Sequence, residues 1–419
     1  MTDVQHDAAV EDDYDPFEAF NKAMGSQQPG SPYPKYRDLL AQCPVLHGHT
    51  GGLDSEGGGP DLLVFPEADV FTALSFAAVD QVLRDNETFS SRGYEKHVGL
   101  VMGHTILEMD EPEHHAYRSL IQQAFTRKEM DRWEVDIVGP IVNRYIDEFA
   151  PRGRADLVNE LTFPFPNEVI ATALGLPEED RYQFYVWAIE MTNMMAEPVR
   201  GFAAAQALGE YFGRLADERR DDPGEDLISL LTQCELDGQR LTNDEILAFC
   251  RLLLPAGSET TYRSSSNLLY GLLTNPDQLD ALYADRSLIP QAIEEGLRWE
   301  PPLTNIARTA TRAVEVEGVS IPAGALVSVC LGAANHDPSR WDKPDEFDMF
   351  RKSQNHVAFA TGVHLCLGIH LARMETRVLL ELVLDRLPNL RFDPDVDVGD
   401  IVGWGFRAPR ALPVVFNAS

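Results

Sequence analysis

Basic residues are scarce in this chain: 35 Lys and Arg stand against 67 Asp and Glu, a formal net charge of −32. A field of that sign repels nucleic acid and anionic membrane, so nucleic-acid binding is the first function excluded. Cysteine is scarce as well. Cys43, Cys234, Cys250, Cys330 and Cys366 are odd in number and widely scattered, with no C-x-x-C pair. This fits a reducing compartment and argues against a disulfide framework or a Cys-rich zinc site. No apolar run approaches the ~18–20 residues needed to span a bilayer. The acidic stretch Met1 to Asp15 has no apolar core of a secretory signal. A cytoplasmic protein without a membrane span is expected.

What is present is ordinary globular material. Of 419 residues, 44% are apolar and 24% charged, enough for a large core without staples. Residues 1–30 are rich in charge, Gly, Ser and Pro, and an acidic mobile tail is expected there. His47 to Pro60, with its glycines, reads as a surface loop. No repeat, linker or composition break follows, so 31–419 is expected to be one domain. From Pro112 to Leu297 the apolar spacing is mostly helical. The longest run is Thr242 to Leu273: Thr242 and Glu245 form a capping box, Ile246, Cys250, Leu253 and Leu254 recur at helical spacing, and Asn275-Pro276 ends it. Such a helix would be roughly 45 Å long. Val314 to Val329 reads as two strands turned at Pro322-Ala323-Gly324. The expected fold class is mainly α with small β-sheets.

The most informative segment runs from Phe359 through Gly362, His364, Cys366 and Gly368 to Arg373. Its first half has loop character; its second opens a helix whose stripe Leu367, Leu371, Met374, Val378, Leu382 ends before Pro388. Cys366 stands at that helix's N-terminus, where free N–H groups favour a thiolate. Gly362 and Gly368 would let a flat ligand approach the backbone. The other cysteines read as small buried hydrophobes.

Phe359 to Gly368 resembles the haem-binding loop of the cytochromes P450, Phe-Gly-x-Gly-x-His/Arg-x-Cys-x-Gly, with Ala360 where the family has its first Gly. The resemblance implies the cytochrome P450 fold, with haem b (iron protoporphyrin IX) between the long central helix and the Cys-loop helix, and Cys366 as axial ligand to iron. A thiolate ligand favours O–O cleavage. Pro255-Ala256-Gly257-Ser258-Glu259-Thr260-Thr261 resembles the family's Ala/Gly-Gly-x-Asp/Glu-Thr-Thr motif, where the helix opens a groove beside O2. By that resemblance Thr260 and Glu259 are catalytic, delivering protons, and Ala256 is a haem neighbour. Glu295 and Arg298 resemble the family's buried Glu-x-x-Arg pair, completed by Arg351, and carry a structural role. His114, Arg118, Arg308 and His364 are the counterparts of residues that bind the haem propionates, while Phe359 and Gly368 belong to the Cys loop.

The resemblance further implies a monooxygenase that inserts one oxygen atom from O2 into a small lipophilic substrate of terpenoid, fatty acid, steroid or aromatic type. A peroxygenase and a non-catalytic haem sensor are the alternatives. By family position the pocket draws on Gly93 to Ile106, Leu252 to Ala256 and Thr304 to Ile306, with Met191 to Met195 and Trp404 to Phe406 completing it; Met102, Ile306 and Phe406 are the residues singled out. No flavin or iron–sulfur segment is recognisable, so a ferredoxin and its ferredoxin reductase are expected as electron donors. Arg127, Lys128, Arg132, Arg373 and Arg377 are expected to form a positive docking patch.

Overall fold

Helix α6 is the axis on which the rest of the chain is built. In the computed structural model, which describes residues 14–27, 30–50, 69–96 and 98–418, it runs unbroken over Asn243–Thr274, 32 residues and about 48 Å. The expected capping box is formed: Glu245 N–H donates to Thr242 Oγ1 at 3.2 Å, and Thr242 N–H donates to Glu245 Oε2 at 2.7 Å. Pro255 does not break the helix. One turn on, two hydroxyls bond back to the helix, Ser258 Oγ donating to Leu254 O (2.5 Å) and Thr260 Oγ1 to Ala256 O (2.7 Å). The helix is continuous where an opened groove was expected.

Around α6 lie helices α1 (Pro16–Ala23), α2 (Phe76–Arg84), α3 (Glu113–Gln122), α4 (Arg181–Thr192), α5 (Pro198–Asp221), α7 (Ile289–Trp299) and α8 (Ile369–Arg386). The main apolar core joins α6 to α5, α7 and α8. The largest sheet has the order β1-β2-β7-β4-β3, from strands β1 (Val45–His47), β2 (Val70–Ala73), β3 (Phe89–Ser90), β4 (Asn305–Ala310) and β7 (Leu326–Cys330). β7 runs parallel to β2 and antiparallel to β4, with Ile306 opposite Val329 and Arg308 opposite Val327. Because side chains alternate along a strand, Ile306 and Arg308 share a face. That face is turned toward α6 and α8.

Two expectations are corrected. Part of the expected tail is folded: Asp15 caps α1, accepting from the N–H groups of Phe17 and Glu18. Phe20 is buried against Tyr185 and Ile189 of α4; apolar burial at i and i+3 outweighs the polar composition. Residues 1–13, 28 and 29 of that segment, and most of the loop expected at His47 to Pro60, lie outside the described residues. Second, the Val314–Val329 unit has three strands. β5 (Val314–Val316) and β6 (Val319–Ile321) form a hairpin turned at Glu317-Gly318, both with positive φ. Pro322 to Gly324 instead hands the chain to β7, which pairs elsewhere.

Candidate active site

Between α6, the start of α8 and β4 lies a cleft with about 1490 Å³ of atom-free space, open to solvent at its mouth. Its walls are chiefly apolar: Leu252, Leu253 and Ala256 from α6, Ile306 from β4, Leu107 and Phe125 from the segments around α3. Cys366 lines it from the loop before α8, and Thr260 from α6. The two residues proposed from the sequence as sulfur ligand and hydroxyl donor thus share one cavity.

The Cys loop is held by its own backbone. Ala360 N–H donates to Val357 O (2.9 Å), Leu365 N–H to Gly362 O (3.1 Å) and Cys366 N–H to Phe359 O (3.0 Å). Gly362, at φ +75°, packs against α2: a Cβ there would collide with the Leu83 carbonyl oxygen. Its small size serves loop–helix packing and not ligand approach. Gly368 is the glycine with open space, no atom lying within 4 Å of the point its Cβ would take. Ala360 has φ +56°, a left-handed conformation that glycine adopts without cost. The Cys366 thiol does not follow the expectation of a lowered pKa. Burial pushes it up, and the Gly368 backbone, Arg118 and Arg373 offset this only in part.

At one end of the cleft four cationic or imidazole side chains converge: His114 and Arg118 from α3, Arg308 from β4 and His364 from the Cys loop. The His114 and His364 rings lie 4.1 Å apart, tilted by 44°. Burial, with Arg308, His114 and Arg118 adding repulsion, pushes His364 down to about 3, so it is neutral at pH 7. Burial also lowers His114 and the two guanidinium groups. His114 Nδ1 lies 3.2 Å from Glu111 Oε1, yet its Nε2 is buried without a hydrogen-bond partner. Neither Arg118 nor Arg308 forms an ion pair among the described residues. An orphaned buried donor beside two unpaired guanidinium groups fits a bound dianion. With an apolar cleft and a half-buried sulfur in its wall, these residues fit haem.

Other sequence expectations divide. Ala256, Phe359, Gly368 and Ile306 line the cleft, Phe359 with the Arg373 guanidinium 5.1 Å from its ring centre. Met102 and Phe406 do not. Met102 is in the core, and Phe406 packs on Phe20, its ring 5.5 Å from the Arg263 guanidinium. Met191 and Met194 are likewise core. Glu259 is also off the cleft: 2% exposed, it accepts from Tyr185 Oη (2.9 Å) and from Arg263 Nη2 (3.0 Å) and Nε (3.1 Å). Glu295, Arg298 and Arg351 come together as expected; Glu295 Oε1 lies 2.6 Å from Arg298 Nη2 and 3.5 Å from Arg351 Nε. The expected positive patch is neutralised. Arg373 binds Glu294, Arg377 binds Glu134 and Glu381, Arg132 binds Glu129, and Arg127 faces Asp131. Lys128 alone of the five has no ion pair among the described residues. The sequence reading missed Phe249, Leu107, Phe125 and Leu303 in the lining. Phe249 was findable, standing one and two turns before Leu252 and Ala256 on the same helix face; Phe125 carries no such signal.

A long central helix crossing a cleft with a loop-borne cysteine, ringed by His and Arg, defines a haem-thiolate protein, and this chain belongs to the cytochrome P450 family. The family's model, Cytochrome P450, matches residues 200–409. The chain is 35% identical over 409 residues to the cytochrome P450 monooxygenase PikC of Streptomyces venezuelae, covering 94% of this chain and 92% of that one. It is 37% identical to the steroid C26-monooxygenase of Mycolicibacterium smegmatis, covering 83% and 88%. Substrate-free CYP109E1 from Bacillus megaterium superposes with a TM-score of 0.83 at 30% identity, over 93% of this chain and 99% of that one. The protein is a P450 monooxygenase with haem as cofactor. No helix among the described residues is long and apolar enough to cross a membrane.

Proposed function

We propose that the chain oxygenates a lipophilic substrate of steroid or fatty-acyl size, with Cys366 as the iron's axial ligand and a separate ferredoxin-type donor supplying electrons in the cytoplasm. The lining carries the substrate reading. Phe125, Phe249, Leu107, Leu252 and Ile306 offer carbon surface and no free charge. Relatives with such substrates support it: a steroid C26-monooxygenase, and a CYP109E1 structure in complex with testosterone. The ferredoxin would have to dock by shape and a few charges, since the basic side chains near Cys366 are already paired.

Bound haem supplies a thiolate-ligated iron at which O2 is activated. Cys366 would hold it, its sulfur presented by a loop that the Phe359 and Gly362 carbonyls close. His114 Nε2, Arg118 and Arg308 would bind the propionates. Thr260 stands at the cavity wall with its hydroxyl donated to Ala256 O; turned from that carbonyl, it would hold a proton where the cavity otherwise excludes water. Glu259 has no part in this step, its carboxylate being held by Arg263 and Tyr185. Cys366→Ser tests the reading. The variant is expected to lose the thiolate absorption band of the reduced CO complex, and its survival would refute the assignment of Cys366. A screen of steroids and fatty acids for spin-state shifts on the wild-type holoenzyme tests the substrate class.

A further inference from the structure

His104 sits between two carboxylates on a segment whose Ile106 and Leu107 line the cleft. Its Nδ1 lies 2.8 Å from Glu108 Oε1 and its Nε2 lies 2.7 Å from Glu113 Oε1. A neutral imidazole has one N–H, so it can satisfy only one of these contacts; the other would set two lone pairs face to face. The geometry therefore requires an extra proton within the triad. The three residues tie together three pieces of chain. Glu108 is buried, its second oxygen lacks a hydrogen-bond partner and packs against Gly99 of the short helix Gly99–Met102. Glu113 is in the first turn of α3. Between His104 and Glu108, Ile106 and Leu107 line the cleft. The next residue along α3, His114, lines it as well.

We propose that His104, Glu108 and Glu113 form a proton-operated clasp on the mouth of the cavity. With the proton in place the segment 104–113 is drawn shut; its loss loosens the segment and speeds ligand passage.

The proton is accessible from solvent, because the His104 and Glu113 side chains are about half exposed (53% and 48%). The surroundings favour keeping it. Burial opposes the charge on His104, but hydrogen bonds to Glu113 and Glu108 outweigh this and raise its pKa above the usual 6.5. Among the neighbouring charges, Glu95 of the turn Arg92–Lys96 adds repulsion on Glu108. On α3, Glu111 is already engaged with His114 and with the backbone N–H of His115. Helices α5 and α6 pack behind the short helix, with Ala248 against Gly103. The cation they bring is Arg251, which is bonded to the Ala205 carbonyl. A group whose folded pKa is raised stabilises the closed form below its unfolded pKa and stops doing so as pH rises through the folded value. The clasp is thus fully closed below the ordinary imidazole value of 6.5 and is released as pH rises through the higher value that His104 has in the folded protein.

The test uses the holoenzyme and 4-cyanopyridine, an uncharged haem ligand across the range from about pH 5.5 to 9. Stopped-flow absorbance should show its association rate rising about threefold to tenfold through one transition. His104→Gln cannot bridge both carboxylates, so its rate is expected to be fast and flat with pH. Glu113→Gln retains one carboxylate partner and should shift the midpoint downward. Amide exchange over residues 103–112, corrected for intrinsic rates, reads the same opening without any haem ligand. It therefore separates failure of the clasp from failure of the haem assignment. A flat profile in the wild type, or the same transition in His104→Gln, overturns the proposal.

Discussion

Arg298→Ala should be the most damaging single change away from the cleft, and the reason can be counted in bonds. Arg298 is 1% exposed and every one of its five N–H groups is used. Nε and one Nη2 hydrogen go to Glu295 at 2.9 and 2.6 Å; Nη1 goes to Asn335 O and Pro344 O at 3.1 and 2.7 Å; the last goes to Glu346 O at 3.0 Å. Truncation leaves the buried Glu295 carboxylate with the Asp348 N–H and the more distant Arg351, and it takes the side-chain donors from Asn335 O and Pro344 O, while Glu346 O keeps Arg351 Nη2. Removing one partner of a buried pair costs about 3–5 kcal/mol, which is two to nearly four decades in the folding constant. Against a total of about 5–15 kcal/mol the fold would be marginal. Because cofactor binding stabilises by mass action, the holoenzyme should register the loss first as haem release. Urea unfolding followed by tryptophan fluorescence, with the reduced CO spectrum in parallel, measures both. Arg298→Lys should fall between, since an ammonium cannot reproduce the fork. The double change Glu295→Ala with Arg298→Ala should cost clearly less than the sum of the singles. A loss below about 1 kcal/mol for Arg298→Ala, typical of a surface pair, would refute this reasoning.

Thr260→Ala should keep haem but divert electrons to peroxide, measured as peroxide formed per NADPH consumed with a surrogate ferredoxin system. Ala360→Gly removes a left-handed alanine; after the entropy that glycine adds to the unfolded chain it should gain about 0.5–1 kcal/mol. Spread over 419 residues this is a rise in melting temperature of about 1 °C. Gly362→Ala, by contrast, collides with the Leu83 carbonyl and should lower both melting temperature and haem content. His114→Phe removes the unpartnered Nε2 donor and should speed haem transfer to apomyoglobin about tenfold to a hundredfold. Burial raises the Glu294 carboxyl, but His356 and Arg373 outweigh it and hold the group at about 2. Its contribution to stability is present above its unfolded pKa and lost as pH falls from about 4.5 toward 2, so Glu294→Gln should flatten acid unfolding over that window.

What the sequence made legible was local or carried by a run of contiguous residues. The capping box and apolar spacing of α6 are set by neighbours three and four positions apart, and they appear as expected. So does the Cys loop, whose bonds all close within ten residues. The positive patch fails partly at short range, where Arg127, Arg132 and Arg377 meet carboxylates three or four residues away, and partly for the opposite reason. Arg373 finds Glu294 and Arg377 finds Glu134, 79 and 243 positions away, and nothing local announces which carboxylate a long basic side chain will meet. The same holds for α1. Phe17 and Phe20 stand at helical spacing after an Asp-Pro start, but the surface that buries them is α4, far along the chain.

Glu259 and Thr260 show the limit within a single motif. Adjacent positions on a helix of 3.6 residues per turn point about 100° apart, so both can serve one cavity only if the backbone is distorted between them. Here the hydroxyls of Ser258 and Thr260 bond back to Leu254 and Ala256, and α6 is continuous. Thr260 shares the cleft face with Ala256, four residues earlier, while Glu259 shares a face about 100° round the helix with Arg263, four residues later. For the carboxylate to join Thr260, it would have to leave a guanidinium and a tyrosine hydroxyl that are both buried with it. That would leave an uncompensated buried charge, and no residue lining the cleft beside Thr260 offers a replacement cation. A side chain whose release is that costly holds α6 to α4 through Tyr185. Its loss is expected to loosen the packing of α4 before it alters any proton transfer.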